Sequence, residues 1–264
     1  METQTEIFEG NIKKTLLKLS LPILFGMLFD LLYNFADTWF ISMIDKSNPA
    51  IVAGVGLVFP VYFVLIALNQ GFFMGVSTIV AINAGKGNND FRKIYASAFW
   101  FAVLVSLALI CFMKIFDDSI MELLAGKAIS EEALNYGKQY MNWIFMGSFF
   151  FMVSHAFIGI LQGKGKTMNV GIAMLISTII NIILDPIFIF VFDMGVKGAA
   201  IATVIAQASI FVYALWLQFS DKEFKFSNLS FKWIDMSSVK EIFRLGAPQS
   251  LGLVTLGLSF VFIN

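Results

Sequence analysis

Long apolar runs separated by short polar breaks dominate the chain, and run length carries the first inference. About 20 consecutive apolar residues cross a bilayer as a helix, because each backbone N–H and C=O is then satisfied within the segment. Six such runs are complete: Leu16–Ile44, Ile51–Asn83, Ile94–Met113, Asn135–Leu161, Met168–Phe192 and Gly198–Phe219. A seventh opens at Phe243 and is still running at Asn264. The second run holds 33 residues without a charge. As helix it would be about 50 Å long, so it must tilt, protrude, or begin after Pro60. The pattern predicts an all-α polytopic membrane protein. A cytoplasmic segment (1–15) precedes a six-helix lobe (16–219), a cytoplasmic linker (220–242) and the start of helix seven (243–264).

Composition agrees. Residues are 58% hydrophobic and 14% charged, against about 25% charged in a soluble domain. Zero net charge suggests no polyanionic partner, and no pattern suggests nucleic-acid binding, so the expected partners are the bilayer and small molecules. The single cysteine, Cys111, excludes a disulfide framework or a cysteine metal cluster. The start, Met1 to Gly10, is acidic and polar, unlike a cleavable signal peptide, so the first span is expected to act as its own insertion signal.

Loop charges predict orientation. Lys13, Lys14, Lys18, Lys86, Arg92, Lys93, Lys164, Lys166, Lys222, Lys225, Lys232, Lys240 and Arg244 fall in alternate connections. The positive-inside rule then places the N-terminus in the cytoplasm. Asp235 to Arg244 reads as an amphipathic linker on the inner surface, with Ser237 or Ser238 as its cap.

Span one begins Leu17-Lys-Leu-Ser-Leu-Pro22-Ile-Leu-Phe-Gly26, and span seven begins Phe243-Arg-Leu-Gly-Ala-Pro248-Gln-Ser-Leu-Gly252. A base, a leucine, a proline and a glycine recur at one offset of 226 residues. Six spans per repeat give parallel repeats about an axis along the membrane normal, one plan of secondary transporters. The chain then reads as an N-terminal fragment whose partner is a missing C-terminal lobe.

Candidate chemistry lies inside the spans. Asn181 and Asp185 stand one turn apart in span five with Pro186 beside the acid, and Asn34 and Asp37 lie in span one. An ionisable side chain at the centre of a membrane helix costs about 3 kcal/mol on insertion scales, so it is a functional hypothesis by default. Asp37 and Asp185 each lie about 10 Å below the outer end of their spans, and Tyr140 and Thr203 about 8 Å below theirs. Two acids sharing a dry pocket with amides and hydroxyls would titrate as a coupled pair. The same oxygens suit a small hard cation, so Na⁺ at Asp37, Asp185, Asn181 and Thr203 is an alternative to H⁺. Pro22 and Pro186 leave backbone hydrogen bonds unmade where helices can bend, and are the candidate hinges. Asp30 shares the face of Asp37 but is a weaker candidate, and His155 reads as a satisfied interior group.

Gly163-Lys-Gly-Lys-Thr167 has Ile160 where a phosphate loop needs its first glycine, and reads as a cytoplasmic turn.

The motifs Leu19-Ser-Leu-Pro22, Tyr33-Asn-Phe-Ala-Asp37-Thr-Trp-Phe, Asn181-Ile-Ile-Leu-Asp185-Pro186 and Gly195-Val-Lys-Gly-Ala-Ala-Ile-Ala-Thr203-Val-Ile-Ala-Gln207 resemble the multidrug and toxic compound extrusion family. The resemblance implies one lobe of a twelve-helix antiporter of the cell membrane that exchanges cationic or amphipathic compounds for H⁺ or Na⁺, without a cofactor. Carried over, Asp37 resembles the first-helix coupling acid, and Asn181, Asp185, Thr203 and Tyr140 its partners. Pro22 resembles the first-helix bend. Span seven lacks the glutamate of one branch, which favours the prokaryotic branch whose coupling site is wholly in the first lobe. A flippase of lipid-linked precursors with this fold would carry basic residues in its spans, which are scarce here. An intramembrane aspartyl protease would show a G-x-G-D motif, which is absent, so no enzyme is expected.

Overall fold

In the computed structural model, residues 11–88, 90–125, 129–220 and 224–263 are described, the side chains of 256–263 excepted. Most of the N-terminal segment, Lys222 and Asn264 therefore lie outside the described residues. The helices are α1 (Ile12–Ser42), α2 (Pro49–Gly85), α3 (Arg92–Ala125), α4 (Glu131–Met146), α5 (Ser148–Gly163), α6 (Thr167–Pro186), α7 (Gly195–Ser220) and α8 (Met236–Ile263). Five helical spans are long and apolar enough to cross a membrane, and α4 with α5 forms a sixth, bent by 41°. The chain is thus an all-helical, multi-pass membrane protein.

Local chemistry fixes where helices start. Asn11, Asn48 and Ser130 cap α1, α2 and α4 by accepting from the amides of Lys13, Ala50 and Ala133. Such side chains satisfy amides left without an intrahelical partner. Pro49 follows its cap at a position where the missing N–H costs nothing. Span two therefore does not begin after Pro60. It runs through that proline for 37 residues, about 55 Å at the helical rise, longer than a hydrocarbon core about 30 Å thick.

Three expected spans differ in detail. Span four is interrupted at Gly147, with Ser148 opening the next helix, and glycine–serine pairs are recognised kink sites. Span five stays α-helical only to Pro186, then continues as a π-helical turn, Ile187–Val191. The final helix begins at Met236, inside the stretch read as a surface linker. Its cap is Asp235 rather than Ser237 or Ser238. The Asp235 carboxylate accepts from the Ser238 amide and hydroxyl at 3.0 and 2.8 Å.

The hydroxyl and amide of Ser238 hold the Asp235 carboxyl below the usual carboxylate range. The folded value being depressed, the cap is fully present above the ordinary aspartate value of about 3.9 and is lost as pH falls through the lower folded value. Asp235→Ala is expected to destabilise the start of α8 by about 1 kcal/mol at neutral pH. Faster hydrogen exchange at residues 236–240 checks it, and unchanged exchange there would contradict it.

The core lies in two clusters. One gathers Phe72, Phe73, Val76, Tyr95, Phe157 and Ile242, the other Ile51, Val58, Met121, Met141 and Phe145. Helix α1 joins this body along one stripe, Pro22, Gly26, Tyr33, Asp37 and Ile41, its only buried residues. It packs chiefly on α6 and barely touches α2. The Thr178 hydroxyl donates to Met174 and lies 3.1 Å from the Phe29 carbonyl of α1. Pro22 is buried against Gly171 on that same side.

The most extensive contact is between α2 and α8. A Cβ on Gly75 would overlap the Ile242 carbonyl, and one on Gly246 would overlap the Gly71 carbonyl. Two backbones meet there without side chains between them, the small-residue packing of membrane helices. The connection before α8 is docked too. The Trp100 indole donates to Leu229 at 2.7 Å and stacks on Phe231, and Ser97 bonds the Asp235 backbone.

Candidate functional site

The stripe that fastens α1 also delivers its acid. Asp37 is 8% exposed and accepts a 3.1 Å hydrogen bond from the Tyr140 hydroxyl of α4. On α6, Asn181 and Asp185 have no exposed surface, and the Asn181 amide donates to Asp185 at 3.2 Å. The one-turn spacing legible in the sequence places these two side chains together. Asp37 lies close enough to Asp185 for their charges to interact. The two acids read separately from spans one and five therefore lie within electrostatic reach of one another.

Thr203 of α7 is buried and lies beside the Tyr33 hydroxyl. Helices α1, α4, α6 and α7 thus each supply a side chain. The oxygens left without a partner are Asp37 Oδ1, Asp185 Oδ2, Asn181 Oδ1, Thr203 Oγ1 and Tyr33 Oη. Buried polar atoms are nearly always hydrogen-bonded, so five orphaned oxygens in one place point to a guest. Every donor is an oxygen and two are carboxylates, the set that suits a proton or a small hard cation.

Two tyrosines join that the sequence reading did not assign. Tyr33 precedes Asp37 by one turn on the same stripe, and Tyr62 of α2 lies near Tyr33 and within electrostatic reach of Asp37. Spacing was the available signal for Tyr33. Nothing local marked Tyr62. From it a small cavity runs along Leu65, Ile144, Gly147, Phe151, Thr203, Val204 and Gln207, with room for about one water.

Other candidates fall elsewhere. Asn34 is not drawn in: it is exposed, and its amide bonds the Asp30 carbonyl of its own helix at 2.7 Å. Its position, one turn before Thr38 rather than on the buried stripe, turns it aside. His155 sits between Phe73 and Phe151 with Nδ1 2.7 Å from the Phe151 carbonyl. Pro186 immediately precedes the π-helical turn, so the proline read as a hinge adjoins an irregular backbone next to Asp185. Cys111 is free and exposed, and Gly163–Thr167 is the turn between α5 and α6.

Six helical spans with a further helix docked on them form one membrane-spanning bundle. The MatE family model matches residues 22–187, and the chain belongs to that family. It is 29% identical to multidrug export protein MepA of Staphylococcus haemolyticus (strain JCSC1435), over 97% of this chain and 56% of that protein. It is 25% identical to MepA of Staphylococcus aureus (strain NCTC 8325 / PS 47), over 100% of this chain and 58% of that one. A crystal structure of MATE in complex with MaL6 superposes with a TM-score of 0.89 at 27% identity, covering 98% of this chain and 57% of that one. The chain spans about half the length of the relatives it matches.

Proposed function

We propose that this chain is the ion-coupling lobe of a multidrug efflux antiporter, exporting cationic or amphipathic compounds in exchange for H⁺ or Na⁺. A second lobe completes the transport path, the N-terminus faces the cytoplasm, and the membrane is the prokaryotic cell membrane. The observation that carries the reading is that Asp37, bonded to Tyr140, and Asp185, bonded to Asn181, lie within electrostatic reach of one another and each keep one unpartnered buried oxygen. Two carboxylates within electrostatic reach in a dry site, with no ion pair to either among the described residues, are relieved when a proton or cation neutralises one of them. Loading therefore draws α1 toward α6 and α7, and unloading pushes it away.

The chemistry assigns roles. Asp37 and Asp185 carry the charge that the ion neutralises. Asn181, Thr203 and Tyr33 supply neutral oxygens, and Tyr140 orients Asp37 by donating to it. Helix α1 is the element that responds, since one stripe holds it and Pro22 lies within its first three turns. Proton or sodium entry on one side and release on the other then biases the two arrangements of the lobes.

Efflux is tested by expressing the protein carrying this chain in cells lacking their own exporters and following ethidium accumulation. Lower accumulation than in control cells, abolished by collapsing the ion gradients, is expected. Accumulation equal to the control would refute the reading. Tyr140→Phe removes the donor to Asp37 but keeps the ring, and is expected to lower the rate about tenfold, since a hydrogen bond to a charged group is worth roughly 1.5–3 kcal/mol. A rate within twofold of wild type would remove Tyr140 from the site.

A further inference from the structure

The connection between α7 and α8 is laid along α3. Phe224 packs on Tyr95, the Trp100 indole donates to the Leu229 carbonyl, and Ser97 bonds the Asp235 backbone. What this docking leaves outside is apolar. Phe226 and Phe231 are 70% and 65% exposed, although two 3₁₀ turns hold the backbone that carries them. Phe231 stacks on Trp100 with ring centroids 3.9 Å apart. Beyond Trp100, on the same side of α3, stand Leu104, Leu107 and Ile115, all exposed. A continuous apolar surface on a fixed backbone marks contact with something apolar.

Cations stand at one end of this surface. Arg92 opens α3, and Trp100 follows about 12 Å further along the helix. The Arg92 guanidinium lies over the Trp233 ring, 4.3 Å from its centroid, and the Lys232 ammonium lies 5.3 Å from the same centroid. The two charges are therefore within about 10 Å of each other. One phosphate can bridge that gap, because each charged N–H···O contact is about 2.8 Å long and a lysine chain is flexible. The carboxylates nearby do not fill it. Asp90 takes the Nε donor and one terminal donor of Arg92, at 2.8 and 2.5 Å, and leaves the rest of the guanidinium fork unengaged. Asp235 is occupied in capping α8. Lys232 makes no hydrogen bond or ion pair among the described residues.

We infer that Arg92 and Lys232, with Trp233 between them and Phe231 beside Trp100, form a site for an anionic phospholipid. The phosphodiester bridges the two cations, and the acyl chains follow Phe231 and the exposed side of α3. The order along α3, charge first and hydrocarbon surface after, is the order of a bilayer, whose headgroup layer is about 6 Å deep on each side of its core. Tryptophan belongs at that boundary, having an apolar body and a polar edge. A phosphate without an ammonium of its own suits two bases, whereas a zwitterionic headgroup brings a cation against Lys232. Arg92 belongs to α3 and Lys232 to the connection, so the bound lipid fastens the connection to the six-span bundle just before α8. The site uses none of the residues assigned to ion coupling and stands whether or not the protein exports drugs.

The test is titration of the protein carrying this chain, purified in detergent, with phosphatidylglycerol, bound lipid being counted by native mass spectrometry. Lys232→Gln is expected to weaken the tightest binding step about fivefold, and Arg92→Gln with Lys232→Gln roughly twentyfold or more. Lys232→Arg keeps the charge and is expected to bind within about twofold of wild type. Lys46→Gln, which removes an exposed base from the α1–α2 connection, is expected to change nothing. Phosphatidylcholine is expected to bind the wild type at least about fivefold more weakly than phosphatidylglycerol. Equal binding of the two lipids, Lys232→Gln binding as wild type, or Lys46→Gln losing as much as Lys232→Gln would overturn the site. Displacement of the lipid by inorganic phosphate at equal concentration would show a free-phosphate site and refute a lipid one.

Discussion

Asp37→Asn and Asp185→Asn are each expected to bring ethidium extrusion down to the level of cells without the transporter, with the protein still present in the membrane. Asparagine matches aspartate in shape and still offers Tyr140 a carbonyl to bond, so the packing around 37 survives. It cannot take up a proton, and it holds a cation only as a neutral ligand. With one acid replaced, the repulsion between Asp37 and Asp185 that ion loading relieves is gone, and the arrangement of α1 no longer depends on the ion. The effect is on coupling rather than on folding. Extrusion by both variants at the wild-type rate, at equal expression, would remove the pair from the mechanism.

The second large effect is structural. Gly246→Leu places a branched side chain where the backbones of α2 and α8 touch, since even a Cβ there would overlap the Gly71 carbonyl. Overpacking of a core commonly costs about 1–3 kcal/mol, and here the obstacle is backbone, which cannot swing aside. The variant is expected to separate α8 from α2 and to aggregate or lose many degrees of thermal stability in detergent. Gly56→Leu is the matched control, because a Cβ at Gly56 meets nothing within 4 Å in this lobe. A melting profile for Gly246→Leu as high as that of Gly56→Leu would contradict the close crossing.

Burial along the spans separates what could be read from what could not. The number and placement of helices followed from run length, because a membrane leaves the backbone no other way to satisfy itself. The two acids were legible for the same reason, being expensive where they stand. Depth arithmetic brought Tyr140 and Thr203 to their level, and the fold puts Tyr140 in a hydrogen bond to Asp37 and Thr203 beside Tyr33, one turn before that acid. Tyr62 was not legible, because a tyrosine in a membrane helix is ordinary and carries no penalty that marks it, and Tyr33 had only its one-turn spacing before Asp37 as a signal. Asn34 misled because the buried stripe of α1 is narrow, and about 60° round the helix from Asp37 is already outside it. The docking of α8 escaped because the repeat assigned it to a second lobe. Its signal was Gly71 and Gly75, four residues apart and so on one face of the helix. Gly147 and Ser148 likewise signalled the bend in span four, and Asp235 lost to two nearby serines that cap helices equally well.

The central proposal is that Asp37 and Asp185 hold the one ion that is exchanged for substrate. It is met most directly by adding tetraphenylphosphonium to the purified protein in lipid nanodiscs, lightly buffered, and recording the protons or ²²Na⁺ released. The account predicts release of one or the other from the wild type and none from Asp37→Asn or Asp185→Asn. Equal release from the double variant, or none of either ion from a wild type that binds the probe, would contradict it.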